Sequence, residues 1–327
     1  MKKKILITGV AGFIGSNLLP ALLKNGHEII GVDNLSQGFL RNIGPYKNDF
    51  RFEKVDIRDK EVIAPLVQKV DIVAHLAAFK IPRYGNAYDT LMVNSQGTLN
   101  ILESIAGRNI KIVFTSTSDV YGKNPTLPFS EESDLVLGPT NVKRWAYAAS
   151  KIFDEHLLFA FQEKYKLPMS IIRYFGGYGP NQNTTWWGGP QSVFIDAILT
   201  GKPMEIHGDG KQTRSFTYIS DHVDGTTRVI ESDKSIGEVF NIGNTKEIRI
   251  VDLAKLIWKI SGNNGKPPLK FIPYKTFGKY EDVRRRIPDI SKAKERLGFE
   301  PKIGMEEGLK ITYEWQKQLY LKEGIIK

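Results

Sequence analysis

From residue 4 onward the chain alternates between two periodicities. Residues 4–8 form a short β-branched run, 17–24 carry apolar side chains at helical spacing, and 28–32 resume a strand pattern. That is one βαβ unit. The alternation continues with strand patterns at 51–55, 71–76, 111–115 and 169–174 and with helical patterns at 98–106 and 146–165. Strands this uniformly apolar, joined by helices, predict an α/β fold whose parallel sheet is covered on both faces.

After Tyr174 the texture changes to glycine, proline, asparagine and tryptophan, which marks a second, smaller α/β lobe. The expected division is 1–175 and 176–327, with segments around 214–243 returning to the first lobe through strand patterns at 216–219 and 239–242. The stretch 291–322 predicts two helices around a break at 298–304.

Composition narrows the functional classes. The 327 residues, 41% hydrophobic and 25% charged, suffice for one large core or two unequal lobes. No apolar run reaches the roughly 18 residues of a membrane span, and the start does not resemble a signal peptide. A cytoplasmic protein with no membrane partner is expected. Absence of cysteine removes disulfides, thiolate metal sites and cysteine nucleophiles, and no metal site is expected. The formal charge of +10 fits scattered solvated lysines, attraction for an anionic substrate, or nucleic acid. The dense basic runs, 2–4 and 284–286, lack the interleaved aromatics of a single-strand binder, so nucleic acid is not the expected partner.

Gly9, Gly12 and Gly15 form a GxxGxxG turn directly after the first strand and before a helix, where backbone N–H groups can meet a pyrophosphate. Asp33 closes the second strand, in position to bind the adenosine ribose hydroxyls and repel a 2′-phosphate. The pattern is that of a Rossmann-type doubly wound sheet holding NAD in preference to NADP. Tyr147 and Lys151 stand four residues apart in a helical segment, on one face about one turn apart. Alone, such a pair is an ordinary helix surface. After five βα units and the glycine turn it suits a base and its tuner, because lowering a tyrosine from about 10 to about 7 takes roughly 4 kcal/mol of phenolate stabilisation. The third element is Thr115 to Gly122, at the carboxyl end of the fifth strand, where open α/β sheets place ligands.

These motifs, with Gly31 to Asn34, Asp56 to Asp59, His75 to Ala78, Asn94 to Asn100, Arg173 to Pro180 and Gly208 to Asp221, resemble the NAD-dependent nucleotide-sugar epimerase/dehydratase family of extended short-chain dehydrogenases/reductases, of UDP-glucose 4-epimerase type. The resemblance implies Thr117 as the hydroxyl that holds the sugar alcohol, Tyr147 as base and Lys151 as the ligand of the nicotinamide ribose. It places Phe13, Ile14, Asn34, Asp56, Ile57, Leu76, Ala77, Ala78, Lys80, Asn94 and Phe175 along the dinucleotide. Ser118, Arg214 and Arg286 would touch substrate, the two arginines at its diphosphate. It further implies a homodimer built on the two long helices, with Leu157, Leu158 and Phe161 in the patch.

Two departures bear on the reaction. Gly176 stands where most relatives carry a substrate-binding asparagine, and the following loop, with Trp186 and Trp187, is longer and more aromatic than the pattern, its tryptophans stacking on substrate or packing under the loop. Asp119 occupies the place where dehydratases and uronate decarboxylases carry glutamate. Family chemistry begins with C4 oxidation to a bound 4-keto sugar. Turnover to the C4 epimer of a UDP-hexose or UDP-hexuronate is the expected outcome. Nucleotide-sugar 4,6-dehydration, UDP-glucuronate decarboxylation and a non-catalytic NAD(H)-sensing regulator are the alternatives.

Overall fold

The structure, a computed structural model, describes residues 2–80 and 86–327. Its first half runs β1 (Lys4–Thr8), α1 (Phe13–Lys24), β2 (Glu28–Asp33), α2 (Leu40–Ile43), β3 (Arg51–Lys54), α3 (Lys60–Val67), β4 (Ile72–His75), α4 (Ala87–Ile105), β5 (Lys111–Thr117), α5 (Trp145–Tyr165) and β6 (Met169–Tyr174). The chain then continues through β7 (Gly177–Tyr178), α6 (Pro190–Leu199), β8 (Met204–His207), β9 (Thr213–Ser215), β10 (Thr217–Tyr218), α7 (Ile219–Glu231) and β11 (Glu238–Ile242). Seven strands form one parallel sheet in the order β11-β6-β5-β4-β1-β2-β3. The order reverses between β1 and β4, which opens a crevice at the strands' carboxyl ends.

Both faces of the sheet are buried. Leu6, Val73, Ile112, Phe114 and Ile171 pack under α3, α4 and α5, while Ile5, Ile7, Val113 and Ile172 pack under α1 and α7. The strands therefore read as continuous apolar runs, because neither side meets water.

The return to the sheet differs in detail from the expected strand at 216–219. Thr217–Tyr218 pairs with Gly177–Tyr178 outside the main sheet, and Ile219 already begins α7. Only β11 joins the sheet, beside β6. An amphipathic helix with Val229 and Ile230 buried covers the α1 face, so this segment crosses back as helix plus strand. The remaining elements, including Ile250–Ile260 and Met305–Lys322, surround a separate core of Phe194, Ile195, Ile206, Leu253 and Leu309.

On α5, Leu158 is fully buried in the chain's own core and Leu157 and Phe161 pack against it. The exposed apolar positions of α4 and α5 are Tyr88, Leu91, Met92, Phe153, Phe159 and Tyr165. Helical spacing alone did not tell which apolar stripe faces inward.

Candidate active site

The glycine turn shapes one wall. Gly9, at φ +72°, donates its N–H to Val32 O at 2.8 Å, and a Cβ there would lie 3.0 Å from Ala77 N. A Cβ on Gly15 would come within 2.3 Å of Gly9 O. Only glycine permits this approach. Thr8 Oγ1 accepts from Leu76 N at 3.1 Å and Ala77 N at 3.0 Å, which ties the ends of β1 and β4 together. The N-terminus of α1 thus opens on a cradle of bare backbone, which fits a pyrophosphate. Asp33 accepts from Ala11 N at 3.0 Å and Leu35 N at 2.7 Å. Burial raises its pKa above the ordinary carboxylate value, and the backbone bonds offset that rise only in part.

A cleft of about 780 Å³ runs from this cradle along the strand ends to the second lobe. Gly9, Gly12, Phe13, Ile14, Gly15, Asp33, Asn34, Ile57, Leu76, Ala77, Ala78, Lys80 and Phe175 line its dinucleotide side. Thr117, Ser118, Asp119, Tyr147, Gly176, Arg214 and Arg286 line the rest. Three expected site residues lie behind the wall. Asp56 turns its carboxylate to Arg58 and Asn34. Asn94 pins the backbone of Phe79 and bonds Ser150 Oγ. Lys151 is buried and donates to Thr115 O at 2.9 Å.

Tyr147 and Thr117 face each other across the end of β5. Burial raises the Tyr147 phenol above its ordinary value, the Asp119 carboxylate raises it further, and a hydrogen bond with Thr117 opposes both. Burial pushes Lys151 down to about 8, with Asp154 and Glu155 pulling the other way. The protein alone therefore keeps Tyr147 a protonated phenol.

The end of the cleft away from the glycine turn is dominated by guanidinium groups. Asp119 Oδ1 lies 2.6 Å from Arg286 Nη2 and 3.3 Å from Arg144 Nη2. Arg214 Nη2 and Arg144 Nη1 lie 3.0 and 3.5 Å from Asp282 Oδ1, and Tyr280 accepts from Arg144 Nη1 at 2.8 Å. Arg214 and Arg286 do converge here, each engaged by a carboxylate. Sequence reasoning missed Arg144 and Asp282 as site residues. The signal for Arg144 was its place three residues before Tyr147, which sets it at the start of the same helix. Trp187 meets Phe79 edge-on at 5.0 Å and Trp186 stacks on His207 at 4.1 Å, so both tryptophans of the loop form cleft wall.

A family model described as GDP-mannose 4,6 dehydratase matches residues 6–312. The chain belongs to that family. Within it, the chain is 37% identical over 325 residues to the UDP-N-acetyl-alpha-D-glucosaminuronate decarboxylase of Bacillus cytotoxicus, covering 98% of this chain and 99% of that one. Its fold is similar to the UDP-glucuronic acid 4-epimerase of Bacillus cereus, solved with UDP-glucuronic acid and NAD, at TM-score 0.87 and 33% identity over 97% of this chain and 100% of that one. The UDP-glucose 4-epimerase of Thermotoga maritima, solved with UDP-glucose, gives TM-score 0.87 at 32% identity over 97% and 99%. Members of the family thus include epimerases and decarboxylases of nucleotide sugars. Among the described residues no helix is long and apolar enough to cross a membrane.

Proposed function

We propose that the chain is an NAD-dependent enzyme that oxidises C4 of a UDP-hexuronate and releases its C6 carboxyl group as carbon dioxide. The observation that carries this reading is the Arg286–Asp119–Arg144 cluster beside Tyr147 and Thr117. Although burial raises the Asp119 carboxyl, the arginines outweigh it and hold the pKa near 2, so the group stays ionised. An ionised aspartate donates no proton, whereas loss of water across C5 and C6 needs a carboxylic acid there. Decarboxylation needs none, because a C4 ketone is itself the electron sink.

The backbone of the Gly9 to Gly15 turn would hold the NAD pyrophosphate and Asp33 the adenosine ribose. When bound, NAD takes a hydride from C4 and later returns it. Thr117 orients the C4 hydroxyl and Tyr147 takes its proton as the ketone forms. The C5–C6 bonding pair then moves toward the C4 carbonyl as carbon dioxide departs, leaving an enolate across C4 and C5, and C5 takes up a proton from solvent water. The Arg286 and Arg144 guanidinium groups that flank Asp119 offer the C6 carboxylate a cationic neighbourhood that would hold it in place until it departs as neutral carbon dioxide. Tyr147 returns its proton to the C4 oxygen. Arg214 and Arg286 offer guanidinium forks suited to the diphosphate.

The 37%-identical, full-length decarboxylase relative supports this reading. The second reading is 4-epimerisation of the same substrate class, favoured by the fold similarity to the Bacillus cereus epimerase. Mass spectrometry of products from UDP-glucuronate and UDP-N-acetylglucosaminuronate tests the choice. A product lighter by the mass of carbon dioxide is expected. An unchanged mass with inverted C4 makes the enzyme an epimerase, and loss of the mass of water makes it a dehydratase.

A further inference from the structure

Tyr147, Lys151 and Asp154 stand at i, i+4 and i+7 on α5, so their side chains leave one face of the helix. Asp154 is fully buried, and the Thr98 hydroxyl of α4 hydrogen-bonds its carboxyl. Thr98 belongs to a longer buried chain whose polarity is fixed. Thr8 Oγ1 already accepts from Leu76 N and Ala77 N, which fills its lone pairs, so its hydroxyl hydrogen donates to His75 Nδ1 at 2.8 Å. Burial, with a smaller push from Lys151, lowers the His75 pKa to about 3 and keeps the ring neutral. A neutral imidazole that accepts at Nδ1 carries its proton on Nε2, which donates to Thr98 Oγ1 at 3.2 Å. The Thr98 hydroxyl hydrogen is thereby left for Asp154, where it favours the ionised carboxylate.

The next acid on α5 is already committed: Glu155 accepts from Arg173 Nη2 at 2.7 Å and from Ser116 Oγ. Asp154 is left to act on Lys151. Burial pulls that lysine toward the neutral amine, and Asp154 opposes the pull more strongly than Glu155 does. Burial likewise raises Asp154 itself to about 7, against Lys151 and Thr98. Of the elements around the carboxyl, α5 brings Lys151 and Glu155, β6 the Arg173 bound to that glutamate, α4 the Thr98 hydroxyl and β4 the neutral His75.

We propose that Asp154, braced through Thr98 and His75 against the end of β1, is a positioning residue that keeps Lys151 cationic and so sets the pH range over which Tyr147 takes the C4 proton. This rests on the reading of Tyr147 as the base. The carboxylate acts through the lysine and does not touch substrate. Its negative charge raises the pKa of Tyr147 as well as that of Lys151, so removing it moves both titrations down.

The test compares the full-length wild type, Asp154→Asn and Thr98→Val, each saturated with NAD, as a function of pH. Before sugar is added, the absorbance near 295 nm, less that of Tyr147→Phe, reports the Tyr147 phenolate. On mixing with UDP-glucuronate, the transient near 340 nm reports C4 oxidation. In the wild type its rate should rise with pH as Tyr147 ionises and fall again as Lys151 loses its proton. In Asp154→Asn both limbs, and the phenolate midpoint, should move down by about one pH unit. The variant is then faster than wild type on the acid side and slower on the alkaline side, whereas a merely structural loss would slow it at every pH. Asparagine has the shape and charge of the protonated acid, which the fold already holds part of the time near neutral pH, so the variant should fold. Thr98→Val removes the donor that favours the ionised carboxylate. It should move the acid limb the same way by less, and add nothing to Asp154→Asn when the two are combined. Limbs and midpoint that stay put or rise in Asp154→Asn would overturn the proposal, as would a Thr98→Val shift that persists in full in the double variant. If Asp154→Asn does not fold, Thr98→Val decides alone: a downward shift supports the proposal and an unmoved midpoint overturns it. A wild type with no transient near 340 nm would overturn the C4-oxidation reading, while the phenolate midpoints would still decide the role of Asp154.

Discussion

Arg286 Nη2 stands 2.6 Å from Asp119 Oδ1, and the carboxylate thereby joins the third arginine of a triple-arginine run to the turn that follows β5. The contact joins two parts of the cleft wall that are distant in sequence. It turns Asp119 from a candidate proton donor into a fixed negative charge, and it holds Arg286 pointed into the cleft.

Asp119→Asn should remove that charge while keeping its shape. Because Asp119 holds Arg286 and Arg144 in place for the C6 carboxylate, carbon dioxide release should slow by about tenfold or more while C4 oxidation persists, so a 340 nm absorbance would accumulate. Stability supplies a separate readout. The folded pKa, near 2, lies below the ordinary 3.8, so the stabilising contribution is complete above about 3.8 and lost as pH falls through about 2. The melting-temperature gap between wild type and variant should therefore narrow on acidification from about pH 5 to about pH 3. A gap that widens, or unchanged kinetics, would remove Asp119 from the mechanism.

Tyr147→Phe should lower turnover by about 100-fold or more while NAD binding survives, since in the proposed mechanism the phenol supplies acid–base catalysis and little affinity. Because burial and Asp119 raise the phenol's pKa, the cofactor-free protein should show no Tyr147 phenolate at neutral pH. The difference in absorbance near 295 nm between wild type and variant reports it. Phenolate present without cofactor would contradict the structure's electrostatics.

The central sheet was legible because its strands are buried on both faces and so spell their own boundaries, as in Ile5 to Thr8 or Ile112 to Thr117. The glycine turn and Asp33 were legible because their spacing is set by the geometry of one βαβ unit. What stayed hidden depends on contacts distant in sequence. Asp282 reaches Arg214 across 68 positions, and His222 meets Gly177 only once β7 and α7 are assembled. Thr217–Tyr218 has strand composition but pairs with β7, because the partner strand and not the pattern decides which sheet a short run joins.

Asp33→Ala should relax cofactor choice. The carboxylate is already bonded to Ala11 N and Leu35 N, so it is held in place before any ribose arrives. On the proposed reading, removing it deletes both the acceptor for the ribose hydroxyls and the charge that repels a 2′-phosphate. The ratio of NAD to NADP affinity should fall by about tenfold or more, equivalent to roughly 1.4 kcal/mol, measured by titration with each. An unchanged ratio would show that a different residue reads the ribose.

Phe153 is 52% exposed on α5 and Tyr88 is 70% exposed on α4, and these two helices pack side by side. With Leu91 and Met92 they are exposed apolar side chains of the helix pair, while Leu158 and Ile101 of the same helices fill the core. Such a set is normally covered, and a two-fold axis lets one patch cover itself. The expected assembly is a homodimer of twice the 36.9 kDa chain. Phe153→Asp replaces an exposed apolar side chain of this helix pair with a charge and should shift the mass measured by light scattering to that of one chain. The variant should remain folded, because Phe153 makes no part of the buried core. A wild type that is monomeric at micromolar concentration, or a variant that stays dimeric, would mean that this helix pair is not the interface.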